Sequence, residues 1–231
     1  MRQYGVEFQL NIPQKMTADK FRTIAHKANT DNLPARLFWK NEDGQPLLDT
    51  TAIRWVKTRQ GVAIIGPKEE ASLIEDNAFA IAKGVKHSIG SVSINEVDRP
   101  ISVTAQDDNS PELFRLPLFS LSNKQKLQQW LYECPQPERH EFVKDKIYQY
   151  FMAEADFWGV EDDPIETAKE LIHITSLSYV RGSDIRSKNN TSPRHRVLFV
   201  DFLMPVKLQG IWSLGRLKNR GVGQVMTKVR P

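Results

Sequence analysis

Apolar and polar residues alternate from Tyr4 to Ile12, the period-two signature of a strand with one buried face. The period then changes. Ala18, Phe21, Ala25 and Ala28 recur at helical spacing, with Thr17 placed to cap the helix and Asp19 in its first turn. Pro34, Gly44 and Pro46 break up residues 30–49, which read as loop with a short strand at Leu37–Trp39. Residues 51–57, a turn at Arg59-Gln60-Gly61, and Val62–Ile65 form a predicted hairpin. A second helix is expected to start at Pro67, with Glu69 and Glu70 in its first turn, and to stop at Gly84. Val85–Ile94 alternates again, as a strand does.

Strand, helix, strand, strand, helix, strand is the order of a ferredoxin-like unit, also used by RNA-recognition modules. The second half opens with strand patterns at Ile101–Ala105 and Leu113–Leu121. It then turns helical and acidic from Ser122 to Ile174, and strand patterning returns at Ser176–Arg181, Val197–Met204 and Gln224–Val229. The expected fold is therefore α+β, with two ferredoxin-like (RRM-like) βαββαβ units in tandem. The first covers 1–97. The second covers 98–231 and is modified by a helical insertion at about 122–174 and a glycine-rich loop at 210–223.

A 231-residue chain that is 40% apolar can bury a substantial core. No apolar run reaches membrane-spanning length and the N-terminus lacks a signal pattern, so a cytoplasmic protein with no membrane partner is expected. Cys134 is the single cysteine, which excludes an internal disulfide and a Cys-rich zinc site. Charge sharpens the picture. The net charge is only +4, but the segment from Arg181 onward carries +9 and the remainder minus five. Such asymmetry is the electrostatic footprint of a polyanion, and no amphipathic basic helix carries these charges to a membrane. RNA is the expected partner.

The basic segment contains Gly215-Arg216-Leu217-Lys218-Asn219-Arg220-Gly221-Val222-Gly223, preceded by Asp201-Phe202-Leu203-Met204-Pro205-Val206. Glycine permits close backbone approach and positive φ, as in phosphate-binding loops. Dinucleotide and P-loop signatures open a helix after an early strand, whereas this loop precedes a terminal strand. It resembles the C-terminal glycine-rich loop of the RAMP superfamily of CRISPR-associated proteins, in which G-x-G, five basic-flavoured residues and G-x-G follow a strand. The spacing and the last three glycines are kept, and Ser213 stands where the pattern has its first glycine. Within that superfamily the chain is most similar to the repeat-RNA endoribonucleases of the Cas six group. The helical segment looks like the branch serving type IV CRISPR systems, whose enzymes carry a helical finger.

That resemblance implies metal-independent, cofactor-free cleavage of precursor CRISPR RNA, by attack of an RNA 2′-hydroxyl on the adjacent phosphate. Such a site needs in-line positioning, proton transfer and stabilisation of the phosphorane charge. The chain has no HExxH and no clustered metal-ligand spacing, in agreement. His26 lies on the first helix, where the family often places its general base. Arg22 is one turn earlier on the same face. Arg36 follows in the next loop, and the type IV likeness implies that Arg22 and Arg36 stabilise the phosphorane. Ordinary surface side chains are the competing reading for all three.

RNA contacts are expected from two basic loops. One holds Arg186, Lys188, Arg194, His195 and Arg196; the other holds Gly215, Arg216, Lys218, Asn219, Arg220, Gly221 and Gly223. His87, His140 and His173 are read as structural, and the aromatic residues of the helical segment as core. The leading expectation is an endoribonuclease that binds a CRISPR repeat hairpin and stays on the guide RNA beside other effector subunits. Alternatives are a non-catalytic RAMP subunit that scaffolds an effector complex, and an RNA-binding protein unconnected with CRISPR.

Overall fold

Val6 and Phe8 of β1 (Arg2–Gln9) are buried, as the alternation requires. The computed structural model describes residues 1–28, 33–38, 52–106, 110–121, 125–180 and 197–228. Its elements are mixed α and β, and every sheet among the described residues is antiparallel. β1 ends at Gln9 rather than Ile12, because Pro13 opens a 3-10 turn (Pro13–Lys15) and Ile12 is left exposed. The chain groups into two units: Met1–Pro100 with Lys218–Gly221, and Ile101–Leu217 with Val222–Pro231.

In the first unit, β2 (Arg54–Lys57), β3 (Gly61–Gly66), β1 and β4 (Ser93–Pro100) form one sheet in the order β2-β3-β1-β4. α1 (Ala18–Ala28) lies between β1 and β2 in the chain, and α2 (Lys68–Ile89) between β3 and β4. Phe8, Phe21, Trp55, Ile64, Ile74, Ala78, Ile81 and Val85 share one core with Leu37 and Phe38. Ala28 does not join it: the helix has run past the core there, and the residue is exposed.

Further expectations fail in this unit. The strand expected at Leu37–Trp39 is a 3-10 turn, Ala35–Phe38, which buries Leu37 and Phe38 together; Trp39 lies outside the described residues. α2 runs through Gly84, because Val85 continues the buried stripe of Ile74, Ala78 and Ile81. That packing outweighs the cost of a helical glycine, about 1 kcal/mol. The helix stops at Gly90, whose φ is 84°. Val85–Ile94 is consequently not a strand; β4 begins at Ser93, and Pro67 caps α2 rather than opening it.

The second unit has a sheet of order β10-β6-β8-β7, built from β6 (Glu112–Phe119), β7 (His173–Tyr179), β8 (Leu198–Met204) and β10 (Met226–Thr227). β5 (Ser102–Ala105) pairs separately with β9 (Val206–Gln209), a strand the sequence pattern did not separate from β8. The helical segment is α3 (Gln125–Glu133), α4 (Gln136–Trp158) and α5 (Asp163–Ala168). It packs against the sheet of this unit. Val143, Ile147, Phe151 and Ala155 of α4 share a core with Phe114 of β6 and Val200 and Phe202 of β8. At the directly paired positions Arg115 and Asp201, two hydrogen bonds of 2.7 Å join guanidinium to carboxylate. Lys228 Nζ adds a third charge 3.8 Å from Asp201.

Candidate functional site

Thr17 Oγ1 accepts a hydrogen bond from the Lys20 amide at 3.2 Å, so α1 starts where its cap predicts. With Ala18, Phe21 and Ala25 turned to the core, Arg22 and His26 share the flank one turn apart. Both meet the 3-10 turn. Arg22 Nη2 donates to the Phe38 carbonyl, and the His26 ring sits edge-on to the Phe38 ring at 5.0 Å. Phe38 in turn stacks on Trp55, whose indole N–H donates to the Leu37 carbonyl at 2.8 Å. Arg36, in the same turn, reaches away to a buried carboxylate, Glu70 in the first turn of α2, and keeps a largely exposed side chain.

The glycine loop supplies the rest of the site. Residues Lys218–Arg220 form a 3-10 turn that belongs to the first unit and packs on β2 and α1. Arg220 Nε lies 3.6 Å from Asp19 Oδ1, and Arg22 Nη1 lies 3.8 Å from the same oxygen. One carboxylate thus sits between two guanidinium groups at the N-terminal end of α1, where helix polarity also favours an anion. Burial, followed by the repulsion of Arg220, pushes Arg22 down to about 10, while Asp19 pulls the other way. Arg22 remains charged at neutral pH. Its Nε is buried with no hydrogen-bond partner.

Gly221 makes this approach possible. A Cβ there would meet the Ala18 Cβ at 2.6 Å and the Trp55 carbonyl oxygen at 3.0 Å, and its φ is +72°. At Gly223 a Cβ would lie 1.7 Å from the Leu214 carbonyl oxygen. Both glycines admit neighbouring protein atoms rather than leaving a vacant cradle. Ser213 needs no such freedom. It bridges Gln224 in antiparallel fashion, and Leu217 is the only non-glycine with positive φ among the described residues.

The basic residues of this loop have separate surroundings. Arg216 is exposed and bonded to Tyr150, whose phenol burial pushes upward against the opposing effect of Arg216. Lys218 is half-buried near Arg54, itself buried on β2 and pushed down to about 9 by that burial. Burial first, and then Arg54, take Lys218 down to about 7. Arg186, Lys188, Arg194, His195 and Arg196 lie outside the described residues, as does the side chain of Asn219.

A family model described as type IV CRISPR-associated endonuclease Csf5 matches residues 1–230. The chain belongs to that family. Its fold is similar to a solved structure described as Csf5, a CRISPR-Cas type IV Cas6 crRNA endonuclease. The TM-score is 0.74 at 18% identity, over 99% of this chain and 100% of that one. It is also similar to a crystal structure of Cas6b, with a TM-score of 0.65 at 14% identity over the same shares. A comparison with curated proteins finds no match. No helix among the described residues is long and apolar enough to cross a membrane.

For a Csf5-family endonuclease, the geometry unites two groups of residues that the sequence kept apart. Arg22 and Arg220 meet around Asp19, although sequence reasoning gave them different tasks and did not single out Asp19. The available signal was Gly221 itself, a positive-φ position following a basic triplet and demanding close approach to another element. His87 is exposed at the end of α2 rather than in a strand, while His140 and His173 line one cavity of the second unit.

Proposed function

We propose that this chain cleaves CRISPR repeat RNA without a metal ion at the N-terminal end of α1, and retains the processed guide RNA. The observation that carries this reading is the convergence of Arg22 and Arg220 on Asp19, beside His26 on the same helix flank. A scissile phosphate competes with the Asp19 carboxylate for the two guanidiniums. His26 takes the proton of the 2′-hydroxyl, and the 2′-oxygen attacks phosphorus in line with the 5′-oxygen. The arginines stabilise the extra phosphorane charge. The P–O5′ bond then breaks and the leaving oxygen takes a proton from water, giving a 2′,3′-cyclic phosphate and a 5′-hydroxyl. Arg36 holds the 3-10 turn beside the site through Glu70 and offers an exposed guanidinium to RNA.

The reading places this site on the first of two ferredoxin-like units, about 1–97 and 98–231. The strand orders β2-β3-β1-β4 and β10-β6-β8-β7 support it, since each alternates sequence-distant strands in the same way. The basic loops, including the one at 186–196, grip the backbone of the hairpin, and other effector subunits assemble on the retained guide. Incubation of the protein with its repeat RNA in excess EDTA tests the chemistry. Cleavage to a cyclic-phosphate end is expected. RNA bound tightly but left uncut would instead mark a non-catalytic scaffold subunit.

A further inference from the structure

His140, on α4, and His173, at the start of β7, are 33 positions apart, yet both line one cavity of about 370 Å3 in the second unit. Its walls include Pro137, Ile172 and Ile174, and the two isoleucines are almost fully buried. Gln136, which lies 3.4 Å from the His140 ring nitrogen, and Glu141 add polar groups at the lining. Neither histidine belongs to the α1 site. The cavity is in the size range of small-ligand pockets, with aliphatic walls and a few polar groups.

Charge and ligand chemistry narrow the occupant. Lys144 lies 3.9 Å from Glu141 and 3.5 Å from Glu170, so its charge is already compensated and no spare cation faces a phosphate. No group of three or more His, Cys, Asp or Glu residues among the described residues is arranged to hold a metal ion. A flat, uncharged heterocycle suits aliphatic walls flanked by imidazoles, which stack on bases. Lys144 faces Oε2 of Glu141, and a carboxylate only accepts hydrogen bonds, so the Oε1 side of Glu141 selects a base edge rich in N–H donors. Guanine, with adjacent N1–H and N2–H2 donors, meets that requirement best.

We infer that this cavity holds one unpaired nucleobase of the bound RNA, guanine before the others, in contact with His140 and His173. The inference rests on the RNA-processing reading, but the site is separate from the cutting chemistry. NMR of the five histidines tests it directly. GMP added to the full chain should shift the His140 and His173 imidazole signals and leave His87 unmoved, with UMP producing a much smaller shift. The Glu141→Gln variant should lose the preference. In a second arm, the double variant His140→Ala, His173→Ala should bind repeat RNA carrying unpaired flanks about tenfold more weakly. It should bind the bare stem-loop as the wild type does. Absence of any imidazole shift, equal shifts with GMP and UMP, or equal affinity for both RNAs in the double variant overturns the inference. Cleavage by the wild type in EDTA would still stand, which separates this failure from failure of the proposed function.

Discussion

Lys218 shows how a residue's environment changes its task. A lysine in a basic loop reads as a solvated phosphate contact, yet here burial and Arg54 take it down to about 7. Its charge in the free protein is therefore present at pH 6 and largely gone at pH 8. The double variant Lys218→Ala, Arg220→Ala should thus lower the slope of log Kd against log salt by about two at pH 6, and by about one at pH 8. Equal losses at both pH values would show Lys218 fully charged and exposed. Basic character and position near the C-terminus were legible in the sequence. The lowered value was not, because it follows from burial in the fold and then from the charge of Arg54, more than 160 positions away. Asp19 is similar. Its place in the first turn of α1 is legible in the sequence, and its second task appears only with Arg220 at 3.6 Å.

Among elements, the glycine turn and the cross-strand ion pair are the most exposed to test. Gly221→Ala forces a Cβ against Ala18 and the Trp55 carbonyl at positive φ. A loss of about 2 kcal/mol in unfolding free energy is expected, together with slower RNA cleavage. Adding Ala18→Gly removes the clash with the Ala18 Cβ and should recover part of the cleavage rate, leaving the cost of the backbone conformation. On the second sheet, Arg115 holds Asp201 below the usual carboxylate range, first through their hydrogen bonds and then through charge, with Lys228 adding to it. A depressed carboxylate stabilises the fold above its unfolded value near pH 4, and that contribution is lost as pH falls through the lower folded value. Asp201→Asn should cost about 1.5–3 kcal/mol at pH 7 in urea unfolding, with the difference from wild type shrinking toward pH 3. A pH-independent difference would contradict the pairing. Strand alternation and the Thr17 cap made most of these elements legible. α2 was misread at Gly84 because local propensity yielded to the burial of Val85, and the turn at Ala35–Phe38 because its conformation follows from Trp55 and α1 rather than from its own residues.

For the whole molecule, the sequence's charge asymmetry and the family match agree on RNA as substrate, and the geometry gathers the residues proposed to carry the chemistry. The C-terminal loop returns to the first unit through Lys218–Gly221, so a site drawn from α1 alone is incomplete. That combination was out of reach of sequence pattern, which orders elements but does not show which distant ones meet. Single-turnover cleavage of repeat RNA by Arg22→Ala, with affinity measured in parallel, tests the central claim most directly. The account predicts a loss of more than about a hundredfold in cleavage rate with Kd changed by less than about threefold. Cleavage at the wild-type rate by Arg22→Ala would contradict it and move the reaction away from the N-terminal end of α1.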